Sequence, residues 1–314
     1  MKITGDKALS SGRGSLVRGL GFALVTILFA VTHPLVLAGV CLAVLLMARG
    51  PRDLRSAVIT SAIVVAVLLG DRSGLWWFER GWPLLLSGVF VWLVSWRAGW
   101  SFSAQALAAL GLCVSAVTVI FLASPGSWLD VDTLMAMRAG KAADMAVALL
   151  GDSLDDPARI VLAKVVDVQV ALFPAILAVS SLGALGLAVT LRAWLAGEIR
   201  ESFGRLRGFR FNDHLVWVWL VGLALVVAPV GQIAERIGGN ALFFMGALYV
   251  LRGLAVLLSF VGGISVTAGI IGSALVVLLY PVLALVLLVA LIVGLGDTWL
   301  NLRGRIPVRE NRSQ

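Results

Sequence analysis

NALFFMGALYVLRGLAVLLSFVG, residues 240–262, decides the fold: 23 residues with one charge, Arg252. As a helix it would be roughly 35 Å long at 1.5 Å per residue, enough to cross about 30 Å of hydrocarbon. It lacks the period-2 alternation of a barrel strand, and in lipid a helix is the only other form that satisfies every backbone amide. The rest of the chain agrees. Of its 314 residues 60% are hydrophobic and 13% charged, with a mean hydropathy of +1.02. Soluble domains carry about 25% charged residues. This composition excludes disorder, a disulfide-stapled secreted module and an ordinary soluble enzyme.

Outward from that stretch lie eight more apolar segments: about 16–32, 34–48, 55–70, 82–96, 101–123, 166–192, 213–230 and 266–296. Pro34 separates the first two, because it removes an amide donor and disfavours helix at His33. Pro281 is read instead as a kink within a single span. The expected fold is all-α: a polytopic membrane helix bundle of about 8–9 spans with an extracytoplasmic amphipathic helical insertion. Its expected divisions are a cytoplasmic tail at 1–15, an N-terminal bundle at 16–123, the insertion at 124–166, a C-terminal bundle at 167–296 and a basic tail at 297–314.

The net charge of +8, from 25 Lys and Arg against 17 Asp and Glu, sets the orientation. The N-terminal tail, the link at Arg49, Arg52 and Arg55, and the stretch 192–210 are basic, while alternate connections are not. That is the positive-inside pattern with a cytoplasmic N-terminus. Nine crossings would put Arg303, Arg305, Arg309 and Arg312 outside, against the same rule. Either one segment is re-entrant or 264–296 crosses twice.

In the insertion, Val131, Met135, Ala142, Ala146 and Leu149 share a helical face opposite Asp130, Lys141 and Asp144, the mark of a surface-lying helix. Asp156-Pro157 opens a second helix, which should continue into the membrane and bend near Pro174. It is read as a collar on the bundle or as a docking surface. Small residues at helical spacing, Ala104, Ala108, Gly111 and Ser115, and again Ser180, Ala184 and Ala188, suggest close helix packing or a homodimer seam.

Ionisable groups inside the bilayer are the site candidates, since each costs about 2.5–3.5 kcal/mol if unpaired at mid-depth. Arg252 is the clearest; it is read as an anion contact in a substrate cavity, with Asp167 and Gln169, or as half of a structural salt bridge. Asp297 and Glu235 are read as its other candidate partners, with Arg303 as the alternative partner of Asp297. His33 and Asn212-Asp213-His214 read as capping groups. Cys41 and Cys113 read as apolar fillers, and two distant histidines offer no metal cluster. No phosphate-binding loop, dinucleotide fingerprint, His-Glu metal motif or nucleophile elbow occurs. The expectation is no enzyme activity, no cofactor, no metal and no nucleic-acid partner.

The layout resembles the YybS-like family of uncharacterised bacterial membrane proteins. The likeness rests on the two short opening spans, the insertion, Tyr249-Val-Leu-Arg252-Gly253-Leu-Ala255-Val, and Gly294-Leu-Gly296-Asp297-Thr-Trp299-Leu-Asn301-Leu-Arg303. The N-terminal portion is distantly similar to the substrate-binding subunits of energy-coupling-factor transporters and to MreD-like rod-shape proteins. The resemblance implies a multi-pass membrane protein and transfers no catalytic residue. Two roles follow as expectations: a transport-type, small-molecule-binding subunit, or a non-transporting scaffold of an envelope, cell-shape or division complex. The partners expected are the lipid bilayer, other membrane proteins or a second copy.

Overall fold

The structure, a computed structural model, describes residues 33–51, 53–69, 76–123, 127–150, 156–198, 208–261, 280–300 and 302. Among them are ten α-helices and no strand. They are α1 (Pro34–Arg49), α2 (Leu54–Leu69), α3 (Trp76–Trp96), α4 (Phe102–Ala123), α5 (Ser127–Leu150), α6 (Asp156–Ala171), α7 (Phe173–Leu195), α8 (Val216–Val227), α9 (Gln232–Val261) and α10 (Tyr280–Leu300). A short 3-10 turn, Asp213–Leu215, leads into α8.

Three helices are long and apolar enough to cross a membrane: α4, α7 and α9 as far as Phe260. Four further apolar helical stretches, Leu35–Arg49, Leu54–Val67, Asp213–Val227 and Ala284–Leu300, are shorter. The 16 residues of α1 reach only about 24 Å. The expected span at 16–32 lies outside the described residues.

The chain divides into two compact units. The first comprises 1–96 and 108–192, the second 97–107 and 193–314. In the first, α1 packs on α2 and α3, and α5 packs on α6. Pro34 opens α1, where its missing amide costs no hydrogen bond. Before it His33 takes a left-handed backbone (φ 40°), and its carbonyl accepts from the amides of Val36 and Leu37. Asp53 caps α2 by accepting from the Ser56 amide at 2.9 Å. Pro83 lies inside α3, and one turn on the Ser87 hydroxyl donates to its carbonyl. The indole of Trp82 donates to the Ser181 hydroxyl at 2.8 Å, tying α3 to α7.

The amphipathic helix read within the insertion at 124–166 is present as α5. Its apolar face buries Val131, Met135, Ala139 and Ala142 against Leu162 and Phe173, while Asp130, Lys141 and Asp144 stay exposed. The side chains of Ala146 and Leu149 lie outside the described residues. The join between α6 and α7 falls at Leu172, two residues before Pro174.

In the second unit α9 packs on both α8 and α10. Glycines make the contacts close. A β-carbon on Gly253 would overlap the Ala290 carbonyl, and one on Gly294 would overlap the Tyr249 carbonyl. A β-carbon on Gly238 would sit 2.6 Å from the Gly222 oxygen. Contact positions rise along α9 as they fall along α10, so these helices are antiparallel and the chain enters α10 at the end where it leaves α9. Residues 262–279, on which the count of crossings turns, lie outside the described residues.

Pro281 is the second described residue of α10, and the stretch before Tyr280, where a kink read at this proline would show, lies outside the described residues. Among the described residues the small-residue stripe of α4 is not buried within the chain. Ala104, Gly111 and Ser115 are exposed, and a β-carbon on Gly111 would meet nothing within 4 Å. By contrast Ala184 and Ala188 of α7 are buried.

Candidate functional site

Arg252 lies 21 residues along α9, 1% exposed. A guanidinium taken that far from water needs carboxylates and full use of its donors. It has both. Its Nε donates to Asp297 Oδ2 at 2.9 Å and its terminal nitrogen to Asp213 Oδ1 at 2.5 Å. Asp297 is 1% exposed, whereas the Asp213 side chain is 59% exposed. The cation also stands 5.5 Å from the centre of the Phe211 ring, which meets Tyr249 edge-on at 5.3 Å. Only because Gly253 and Gly294 lack side chains do α9 and α10 approach closely enough for the Arg252–Asp297 pair to close.

The structure thus brings Arg252 and Asp297 together and adds Asp213. Sequence reasoning had assigned Asp213 to a cap, and that cap is in fact made by Asn212, whose side chain accepts from the His214 amide at 3.0 Å. Glu235 is corrected as a partner. It is exposed in the first turn of α9, about 25 Å along the axis from Arg252, where an acid complements the helix dipole. Asp167 and Gln169 lie on α6 in the first unit, exposed and buried respectively, while both carboxylates on Arg252 come from the second. Arg303 lies outside the described residues. Cys41 and Cys113 are buried thiols, and no group of metal-ligating side chains occurs among the described residues.

A second cluster, missed in the sequence, sits in the first unit. Glu79, in the first turn of α3, accepts from Arg80 at 2.8 Å through one oxygen and pairs with Arg138 of α5 through the other. The imidazole of His33 lies 3.9 Å away. Burial pulls the His33 pKa below its ordinary 6.5, against an upward pull from the Glu79 carboxylate. The sequence did hold a signal: 131, 135, 138 and 142 follow helical spacing, so Arg138 sits on the apolar stripe of α5, where an arginine needs a partner. Beside the cluster is a cavity of about 20 Å³ walled by Phe78, Trp82, Met135 and Phe173, room for about one water. A larger apolar groove, about 150 Å³, runs between α1, α2 and α3 and is bounded by Arg80.

Comparison with known proteins adds one finding. The family described as "Predicted membrane protein (DUF2232)" matches residues 21–298. No curated protein and no solved structure matches the chain.

Proposed function

Because the chain belongs to this family of predicted membrane proteins, we propose that it is a non-catalytic, multi-pass scaffold of the bacterial cell membrane that holds an envelope complex together. One observation carries the reading. The arginine best placed to receive a substrate anion is already taken by Asp297 and Asp213, behind a backbone contact that admits no side chain. This is the arrangement of a lock between helices. The finer placement with YybS-like and MreD-like proteins, a cytoplasmic N-terminus and an extracytoplasmic α5–α6 pair belong to the same proposal. In that setting Met137, Met145 and Ile160, all exposed on the pair, form the surface offered to partner proteins.

The test is photo-crosslinking in cells from positions 137 and 145, followed by native mass spectrometry of the complex in mild detergent. One membrane partner at constant stoichiometry is expected, recovered again when the partner carries the tag. A chain that yields no adduct and is stabilised by a small molecule would overturn it.

A second reading, a transport-type small-molecule-binding subunit, draws support from Asp213. That carboxylate is largely exposed, so the charge cluster has one open side. Ligand stabilisation lost in Asp213→Asn, with the fold intact, would favour this reading.

A further inference from the structure

The apolar groove of the first unit and the two arginines beside it match the two ends of one molecule. Val40 and Ala43 of α1, Ile63 and Val67 of α2, and Leu84 of α3 line the groove. Its volume of about 150 Å³ equals that of roughly five waters at about 30 Å³ each, so it takes a stretch of acyl chain and no folded headgroup. Arg80 is its one charged boundary. The Nε of Arg80 donates to the Val67 carbonyl at 3.4 Å, in the last turn of α2, where a cation complements the helix dipole. Its terminal nitrogen reaches Glu79, which also holds Arg138. Where the apolar wall ends, then, two guanidiniums share one carboxylate, and the Arg138 side chain is 24% exposed.

We propose that the α1–α2–α3 groove binds one acyl chain of an anionic phospholipid, whose phosphate-bearing headgroup is held at the Arg80–Glu79–Arg138 corner. Charge decides the class of lipid. A zwitterionic headgroup would bring its own cation to a corner where, among the described residues, two guanidiniums meet one acid. An anionic headgroup meets only the excess guanidinium. A free phosphate would find the guanidiniums but leave the groove unfilled.

The full chain would be placed in nanodiscs of phosphatidylglycerol and phosphatidylcholine in equal parts, and the lipids retained on release read by native mass spectrometry. An enrichment of phosphatidylglycerol of roughly fivefold is expected, the worth of one interfacial arginine. Arg138→Lys should keep the enrichment and Arg138→Gln should lose it. Val64→Trp, which fills the groove from its half-open wall, should lose retained lipid of both kinds. Equal retention of the two lipids by the unaltered chain would overturn the proposal. So would enrichment that survives Arg138→Gln, or full displacement of the lipid by inorganic phosphate. Should Arg138→Gln not fold, Arg138→Lys and Val64→Trp still decide it.

Discussion

The two units solve the same problem with opposite signs. In the first, one carboxylate, Glu79, lies between two arginines; in the second, one arginine, Arg252, lies between two carboxylates. Their surroundings differ as much as their charges. Arg252 sits mid-helix behind glycine contacts that bring two backbones together, and its buried partner has nowhere to go. Arg138 rides on an amphipathic helix, partly exposed, and pairs with Glu79, which lines the water-sized cavity and also holds Arg80 at the edge of the groove. Buried charge therefore does two kinds of work here: it fixes packing where the backbones touch, and it sets two guanidiniums on one carboxylate where they do not.

The sharpest way to break that contrast is to remove the close approach. Gly253→Val would drive a side chain into the Ala290 carbonyl, and since backbone cannot swing aside, a loss of about 3 kcal/mol is expected. It would show as a lowered Tm, with proteolysis confined to the second unit. The same substitution at Gly111, which faces open space, should leave the Tm unchanged.

A smaller effect is expected in the first unit. Glu79→Gln leaves Arg80 and Arg138 without their shared acid, a loss of roughly 1.5–3 kcal/mol on the scale of charge-assisted hydrogen bonds. Limited proteolysis should then cut first within α5, the helix that Arg138 anchors. Uniform cleavage across both units would erase the distinction drawn between them.

The smallest effect is a pH dependence. Burial holds the His33 pKa below 6.5, so the unfolded chain binds more protons between the two values. Stability is then expected to fall as pH drops from 6.5 through the folded value. Thermal unfolding from pH 7 to 5 should show that decline, and His33→Gln should flatten it.

Much of this was legible in the residues. Apolar runs with single charges gave the helices, and Val131, Met135 and Ala142 gave the buried face of α5. Arg252 stood out because nothing else in its run is charged. Its partners did not, since which carboxylates it meets depends on the α9–α10 crossing, set by Gly253 and Gly294 forty residues apart. Asp213 was hidden by its turn-like neighbours Asn212 and His214, and Glu79 by balancing Arg80 in what read as a loop. The number of crossings was less legible, because short helices such as α1 and α2 are apolar in composition yet fall below a full bilayer in length.

The account rests most on Arg252 as a lock, and a double-mutant cycle over Arg252→Leu and Asp297→Leu tests it directly in detergent-solubilised protein. Arg252→Leu strands the buried Asp297 carboxylate and should cost about 3–5 kcal/mol. Asp297→Leu leaves Arg252 with Asp213 alone and should cost less, while the double change, apolar on both sides, should recover most of the Arg252→Leu loss. Losses that simply add, or a double variant that folds normally yet loses binding of a small molecule, would contradict it.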